Sequence, residues 1–212
     1  NTFKTTIYDV LIDDVGVEKA IIPIHSYIDL LPSNHYMSQF EIDALLSDLI
    51  PNDMLINLLQ HRMKDFDFSR YDFVFIDVPP TLSLILANAL SISNEIIIPV
   101  QPEPYAVSSL VQTVNAIKHT MKNLGLAVHI NSIVFTNVEN VNIHSHYITE
   151  IRKWALNEGI KVADEVIYKS KMVPDFISLY NLPVTMGEFN RKSESKYEKT
   201  KNNFENVWSE IK

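Results

Sequence analysis

The chain has 212 residues, 46% of them hydrophobic and 21% charged, which is typical of a globular protein with a substantial core. Its net charge of −8 argues against nucleic-acid binding through bulk electrostatics, so a DNA contact would need a local basic patch. Cysteine is absent, which excludes disulfides and iron–sulfur clusters within these residues, and no apolar run approaches the ~20 residues needed to cross a bilayer.

The first 64 residues predict a short helix, a strand and two further helices. Their ranges in chain order are 5–12, 27–34, 38–50 and 52–64. A threonine can cap the first helix, and Pro32 ends the strand. In the third element, Ser38 and Glu41 have the spacing of a capping box. Its predicted buried stripe consists of Phe40, Ile42, Leu45, Leu46 and Leu49.

The next segment, Tyr71-Asp-Phe-Val-Phe-Ile-Asp-Val-Pro-Pro80, is an apolar run that leads to a carboxylate. Such a run predicts a strand buried on both faces in the middle of a parallel sheet. Asp77 would then lie at the carboxyl edge, where open α/β sheets bind ligands. We interpret Asp77 as a Walker B acid that holds the water shell of a nucleotide-bound Mg²⁺. The alternative is an aspartate that only caps the following turn.

Strands and helices alternate over the remaining chain. The predicted elements are a helix over 81–90, a strand over 95–101, a helix over 105–122, a strand over 128–137, a helix over 143–157 and a short strand over 161–167. This order predicts an α/β fold with a mostly parallel sheet and helices on both faces. We expect a single domain over 1–212, on which the amphipathic helix 193–212 docks.

The glycines and histidines do not form a recognisable phosphate-binding or metal-binding motif. The four glycines are Gly16, Gly125, Gly159 and Gly187, and none belongs to a G-x-x-x-x-G-K-[ST] loop. A Walker A motif is therefore absent from these 212 residues. The close histidine pair His144 and His146 is two residues apart, so the two would not share a helix face, and we expect surface histidines instead of a metal site.

Four separated blocks of this sequence resemble the ParA group of partition ATPases, within the ParA/MinD/Soj superfamily of P-loop proteins. The blocks are 5–12, 30–34 with Glu41 behind it, 71–80 followed by Asn88-Ala-Leu90, and 95–106. The resemblance implies a P-loop NTPase-like fold and a deviant Walker A loop upstream of the first block. We therefore expect the N-terminal phosphate-binding unit to be absent here because the sequence is a fragment of a longer protein. A truncated relative that has lost this unit is the alternative.

The resemblance assigns roles around the γ-phosphate and the dimer interface. Asp77 matches the Walker B aspartate, which binds Mg²⁺ through water. Val78, Pro79 and Pro80 match the switch II turn, although the family usually has threonine where this chain has Val78. Valine offers no hydroxyl for a hydrogen bond near the phosphate. Gln101 and Pro102 match a loop that faces the partner subunit in the family's nucleotide-sandwich dimer.

The resemblance also suggests base-binding and DNA-binding residues. Asn137 ends a predicted strand where the family often has an adenine-reading side chain; the alternative is an asparagine that only ends the strand. Lys169 lies in a segment that flanks the base. In that segment, tyrosine and lysine replace the usual proline and arginine. Non-specific DNA would contact Lys196, Lys199 and Lys201. Glutamates are interleaved with these lysines, so a solvated face of mixed charge is the alternative.

The implied function is plasmid or chromosome partition by an ATPase with ATP and Mg²⁺ as cofactors of the full-length protein. An ATP-driven monomer–dimer switch would control binding to non-specific DNA and to a centromere-binding ParB-like protein. The protein would be cytoplasmic and nucleoid-associated, without a membrane partner. Alone, the 212 residues should not hydrolyse ATP. The alternatives are a nucleotide-free remnant that serves as a protein-interaction module and a MinD-like positioning ATPase at the membrane.

Overall fold

The computed structural model describes residues 3–79, 81, 83–189 and 195–212. It divides into two compact units, the first formed by residues up to Asn94 together with 116–127, and the second by 95–115 together with 128–212. The single domain over 1–212 stays a prediction, because compact units are not in themselves separate domains.

The first unit begins with a helix and a hairpin. Helix α1 (Ile7–Ile12) confirms the predicted helix. The Asp9 carboxylate accepts hydrogen bonds from the Thr6 amide at 2.7 Å and from the Thr6 hydroxyl at 2.8 Å. Strands β1 (Ile22–His25) and β2 (Ile28–Leu30) pair antiparallel. Strand β2 thus confirms the first part of the predicted segment 27–34, before Pro32.

Helix α2 (Phe40–Leu46) is shorter than predicted and turns a different face inward. Phe40 and Ala44 are buried, whereas the rest of the predicted stripe is exposed by 61–81%. These exposed residues are Ile42, Leu45, Leu46 and Leu49. The predicted capping box is also wrong. Ser38 donates its hydroxyl to the His35 carbonyl, and Glu41 accepts from the Leu84 amide at 2.6 Å, so Glu41 links α2 to the helix that follows residue 83.

Two short helices complete the core of the first unit. Helix α3 (Leu58–Arg62) follows a 3₁₀ turn over Asn52–Asn57, and α4 (Leu84–Ile92) begins three residues later than predicted because Ser83 caps it. The Ser83 hydroxyl accepts from the Leu86 amide at 3.3 Å. The buried core of this unit consists of Val10, Leu11, Val17, Ala20, Phe40, Ala44, Ile50, Leu55, Leu58, Leu59 and Met63.

The apolar run over 71–79 does not form the predicted buried strand. Its residues belong to no strand, and Phe73, Val74, Phe75 and Ile76 are exposed by 37–71%. A central strand needs a neighbour on each side, and the strands described in this unit, β1 and β2, pair with each other. The apolar composition is therefore a sign of strand tendency, but without adjacent strands it does not produce burial.

The second unit contains the parallel sheet. Strands β3 (Glu95–Val100) and β4 (His129–Phe135) confirm two predicted strands and run parallel, with Glu95 opposite His129. The strand predicted over 161–167 is reduced to one isolated parallel bridge, between Ile133 and Val162, and a second bridge joins Val138 to Tyr168 just after this range. The order of β3, β4 and the 162 segment is that of an α/β fold with a parallel sheet.

Four α-helices are described in the chain after β3. They are α5 (Ala106–Leu124), α6 (Asn142–Glu158), α7 (Met172–Tyr180) and α8 (Ser195–Ile211). Helix α5 contributes residues to both units, and α6 ends at Gly159, whose φ of +68° suits glycine. In the second unit, Val207 and Ile211 of α8 pack with Val134 and Ala163. Residues 193 and 194 of the predicted tail helix lie outside the described residues. No helix among the described residues is long and apolar enough to span a membrane.

Candidate functional site

Asp77 lies in the exposed segment of the first unit that precedes α4. Its side chain is accessible to solvent, while Val78 is half-buried and Pro79 is exposed. Pro80, the remaining predicted switch II residue, lies outside the described residues. No group of three or more histidines, aspartates or glutamates that could hold a metal ion occurs in the described part of the chain. A single exposed carboxylate fits contact with Mg²⁺ through water, because direct coordination in a protein cage takes more ligands.

The segment that carries Asp77 is anchored at its start by a polar and aromatic cluster. The Tyr71 hydroxyl donates to the Asp29 carboxylate at 2.6 Å, which raises the pKa of Tyr71. The Arg70 guanidinium lies 5.1 Å from the centre of the Tyr71 ring and 3.6 Å from Asp29. Arg70 also contacts Glu18 at 3.3 Å. These contacts join the start of the segment to β2.

Polar residues from the first three ParA-like blocks stabilise the first unit. The Asn34 side-chain amide donates to the Thr6 hydroxyl at 3.0 Å, and the Ile7 amide donates to the Pro32 carbonyl at 2.8 Å. Asn88, which is 2% exposed, accepts from the Leu59 amide at 2.8 Å. Hydrogen bonds of these residues therefore hold segments of distant sequence together. The sequence signal for Asn88 is an amide in the middle of an otherwise apolar helix.

The structure brings Asn137 and Lys169 close together at the carboxyl end of β4. The Val138 amide donates to the Ile167 carbonyl at 3.1 Å, and the Lys169 amide donates to the Val138 carbonyl at 3.0 Å. Asn137 is exposed and has a φ of +53°, a left-handed conformation that asparagine tolerates. The carboxyl ends of parallel strands are where α/β sheets bind ligands, so these side chains occupy a favourable position.

An ion pair and a buried histidine support this loop. The Lys169 ammonium lies 2.8 Å from the Glu139 carboxylate. This contact lowers the pKa of Glu139 and raises the pKa of Lys169, to which Glu103 adds a smaller contribution. His144 accepts from the Glu139 amide at 2.9 Å and is only 8% exposed. The expectation that His144 is a surface histidine is therefore wrong, because its ring is a hydrogen-bond acceptor for the backbone.

The predicted dimer-interface and DNA-binding residues differ in their exposure to solvent. Gln101 is exposed at the end of β3, and Pro102 is buried. In α8, Lys196 and Lys199 are exposed and three residues apart, so they share a helix face. Lys201 is partly buried, donates to the Gly187 carbonyl at 3.1 Å and lies 3.8 Å from Glu205. The structure therefore does not bring the three lysines together as one free basic surface.

Replacing Lys169 by methionine is expected to raise the pKa of the Glu139 carboxyl toward its ordinary range. In the unmodified protein, the ion pair holds that pKa low, so its contribution to stability is present above the ordinary value and is lost as the pH falls through the lowered pKa. Carboxyl ¹³C NMR of Glu139 against pH measures the change. Lys153→Met, which removes an exposed lysine from α6, is the control. An unchanged Glu139 titration in Lys169→Met would contradict the expected coupling.

Known proteins resemble this chain in sequence over the residues that carry the ParA-like blocks. Residues 1–131 match the family described as AAA domain. The sporulation initiation inhibitor protein Soj of Bacillus subtilis (strain 168) is 29% identical over 150 residues, which are 70% of this chain and 57% of Soj. The chromosome-partitioning ATPase Soj of Treponema pallidum (strain Nichols) is 28% identical over 133 residues, or 62% of this chain and 50% of that protein. The chain thus spans between half and three fifths of these two relatives.

Solved structures agree in fold. A plasmid partition protein of Borrelia burgdorferi B31, bound to AMPPNP, has a TM-score of 0.69 and 23% identity, and the similarity covers 98% of this chain and 75% of that one. An ATP complex of a Cyanothece McdA variant has a TM-score of 0.78 at 17% identity, covering 100% of this chain and 76% of that one. At these identities the similarity establishes the P-loop NTPase-like α/β fold alone. The family match covers more than half of the chain, and Soj proteins are among its relatives. The chain therefore belongs to the family of ParA/Soj-type partition ATPases.

Proposed function

We propose that the intact protein binds ATP with Mg²⁺ and uses it to control DNA partition. The observation that carries this proposal is the juxtaposition of Asn137 and Lys169 at the carboxyl end of the parallel strand pair. An amide can both donate to and accept from a purine edge, and a strand end in an α/β sheet presents such a side chain to a ligand. Because the chain spans only part of its relatives, the activity of the whole protein remains a proposal.

The proposed chemistry depends on positioning and electrostatics. Phosphoryl transfer to water in P-loop proteins requires amide and lysine contacts to the phosphates, which no motif in these 212 residues supplies. Mg²⁺ neutralises charge on the phosphates when bound. Asp77 would hold its water shell, and Asn137 and Lys169 would flank the base. Val78 has no hydroxyl, so in switch II the turn geometry and not a side-chain hydrogen bond would position the segment near the γ-phosphate.

The proposed switch is a change between monomer and homodimer. Gln101, exposed after β3, would contact the second copy, while buried Pro102 would keep the backbone of that loop rigid. The dimer would bind non-specific DNA and a centromere-binding ParB-like protein, in the cytoplasm at the nucleoid. Dimer formation would strengthen DNA binding, because one copy contributes few basic residues and binds DNA weakly, whereas two copies add their phosphate contacts.

DNA binding by the intact protein is expected to be stronger with Mg-ATP than with Mg-ADP, and to depend on the lysines of α8. The triple change Lys196→Glu, Lys199→Glu and Lys201→Glu should weaken binding by about tenfold or more and reduce the salt slope by about one for each phosphate that the lysines no longer neutralise. Fluorescence anisotropy with a random-sequence duplex over a range of salt concentrations measures both. We expect most of the effect from Lys196 and Lys199, because Lys201 already donates to Gly187.

The matched control reverses three exposed lysines elsewhere, Lys19, Lys122 and Lys153. It makes the same change in net charge, so an equal loss of affinity in both variants would mean that the effect is not local to α8. Unchanged affinity in the α8 variant would reject this DNA surface. ATP binding is measured in parallel by calorimetry, and a protein that binds neither ATP nor DNA would support the nucleotide-free interaction module.

A further inference from the structure

A buried histidine lies behind the loop that carries Asn137. His144 is the third residue of α6, and its Nδ1 accepts from the Glu139 amide at 2.9 Å. Val141, the residue before the helix, has no side-chain acceptor, and its amide donates to the Glu139 carbonyl at 2.9 Å. His144 therefore does what the third residue of a capping box does, reaching back to a backbone N–H that precedes the helix.

The hydrogen bond from the Glu139 amide to His144 fixes one end of the loop 137–139. The 167–169 segment holds the rest of this loop. Val138 makes two backbone hydrogen bonds to that segment, and Glu139 pairs with the Lys169 ammonium. Asn137 itself has a left-handed conformation, which costs more than an extended or helical one unless the neighbouring residues enforce it. The enforcement comes from both ends of Val138–Glu139, and His144 supplies the end nearest α6.

We propose that His144 is a positioning residue for the base end of the nucleotide, acting through the Glu139 amide to hold Asn137 in its left-handed conformation at the end of β4. This role rests on the proposed nucleotide binding. The acceptor must be an unprotonated Nδ1, so the ring proton of the neutral histidine is on Nε2. The role does not require His144 to touch the ligand. If His144 has this role, a substitution at position 144 that removes the acceptor changes the affinity for the base and leaves phosphate binding unchanged.

Two substitutions separate the hydrogen bond from the volume of the ring. His144→Leu fills the site with an apolar side chain and removes the acceptor. His144→Asn keeps an acceptor, because Asn Oδ1 is the same number of bonds from Cα as His Nδ1. Hydrogen exchange of the Glu139 amide, followed by NMR, reports the contact directly. Calorimetry on the intact protein compares ATP with inorganic tripolyphosphate, which has no base.

The expected result is a Glu139 amide that exchanges about tenfold faster in His144→Leu, with ATP affinity reduced by about five- to thirtyfold and tripolyphosphate affinity unchanged. His144→Asn should resemble the unmodified protein in all three measurements. Equal ATP affinities of the two variants would overturn the proposal, as would a parallel loss of tripolyphosphate binding, which indicates a general structural defect. If the unmodified protein binds ATP no more tightly than tripolyphosphate, base recognition and the role of His144 both fail. Loss of all nucleotide and phosphate binding in the unmodified protein would reject the proposed function itself.

Discussion

Asp77→Asn in the intact protein is expected to lower kcat for ATP hydrolysis by at least about 100-fold, which corresponds to about 2.7 kcal/mol of transition-state stabilisation. The amide keeps the size of the side chain but removes the negative charge that would hold the water shell of Mg²⁺. Asp77 is exposed in the structure, so the substitution should cost little folding stability. Phosphate release at saturating Mg-ATP, together with thermal denaturation, measures the two effects separately.

The control for this experiment lies in the same segment. Asp72 is also exposed and precedes the same apolar run, and nothing in the sequence assigns it to a nucleotide. Asp72→Asn makes an identical chemical change five residues earlier and should leave kcat within about twofold. Similar losses of activity in both variants would show that the segment needs negative charge in general. Full activity in Asp77→Asn would remove Asp77 from the proposed site.

Long elements with strong periodicity could be predicted from the sequence. Strand β3 was indicated by a short continuous apolar run, and α5 by extended helical spacing. Glycine follows the ends of both α5 and α6, as the sequence predicted. Helix α7, which contains Pro174, was not predicted. That proline is in the first turn of the helix, where its missing N–H has no intrahelical partner to lose.

Burial was predicted less well than element type. The α2 stripe and the 71–79 run are both apolar and both largely exposed in the structure. Periodicity shows which residues favour an apolar environment, but the neighbouring elements decide whether that environment is present. In α2, Glu41 accepts a hydrogen bond from the Leu84 amide and Asp43 accepts one from the Tyr8 hydroxyl, while Phe40 and Ala44 are buried.

In the candidate site, too, the positions of residues along the chain were predicted better than their contacts. The position of Asn137 at a strand end followed from the order of elements. Only the resemblance to the ParA group placed both Asn137 and Lys169 beside the base. The supporting contacts could not be predicted in this way. His144 was expected on the surface because His144 and His146, two residues apart, do not share a helix face and so do not form a metal site. This spacing contains no information on whether the His144 ring is buried. Its acceptor role depends on the path of the backbone over 137–141, which local sequence patterns do not determine.

Asn88→Ala is expected to destabilise the first unit by about 2–4 kcal/mol. The Asn88 side chain donates to the Leu55 carbonyl at 2.7 Å and to the Leu84 carbonyl at 2.9 Å, and it accepts from the Leu59 amide at 2.8 Å. Leu59 is the second residue of α3, so its amide lacks an intrahelical partner and Asn88 supplies one from another helix. Alanine would leave a buried N–H and a buried carbonyl without these partners, at about 1–3 kcal/mol each.

Hydrogen exchange of the Leu59 amide and urea denaturation measure the local and the global effect of the Asn88 substitution. Asn88→Asp should lie between the unmodified protein and the alanine variant at low pH, where a protonated carboxyl can donate one hydrogen bond, and should be worse at neutral pH because it buries a charge. Ser91→Ala, on the same helix and half-buried, is the control and should cost about 1 kcal/mol or less. An alanine variant at position 88 as stable as that control would mean that α3 and α4 are held together by apolar packing alone. The amide in this ParA-like block would then contribute neither to the fold of the first unit nor to the placement of the segment that precedes α4.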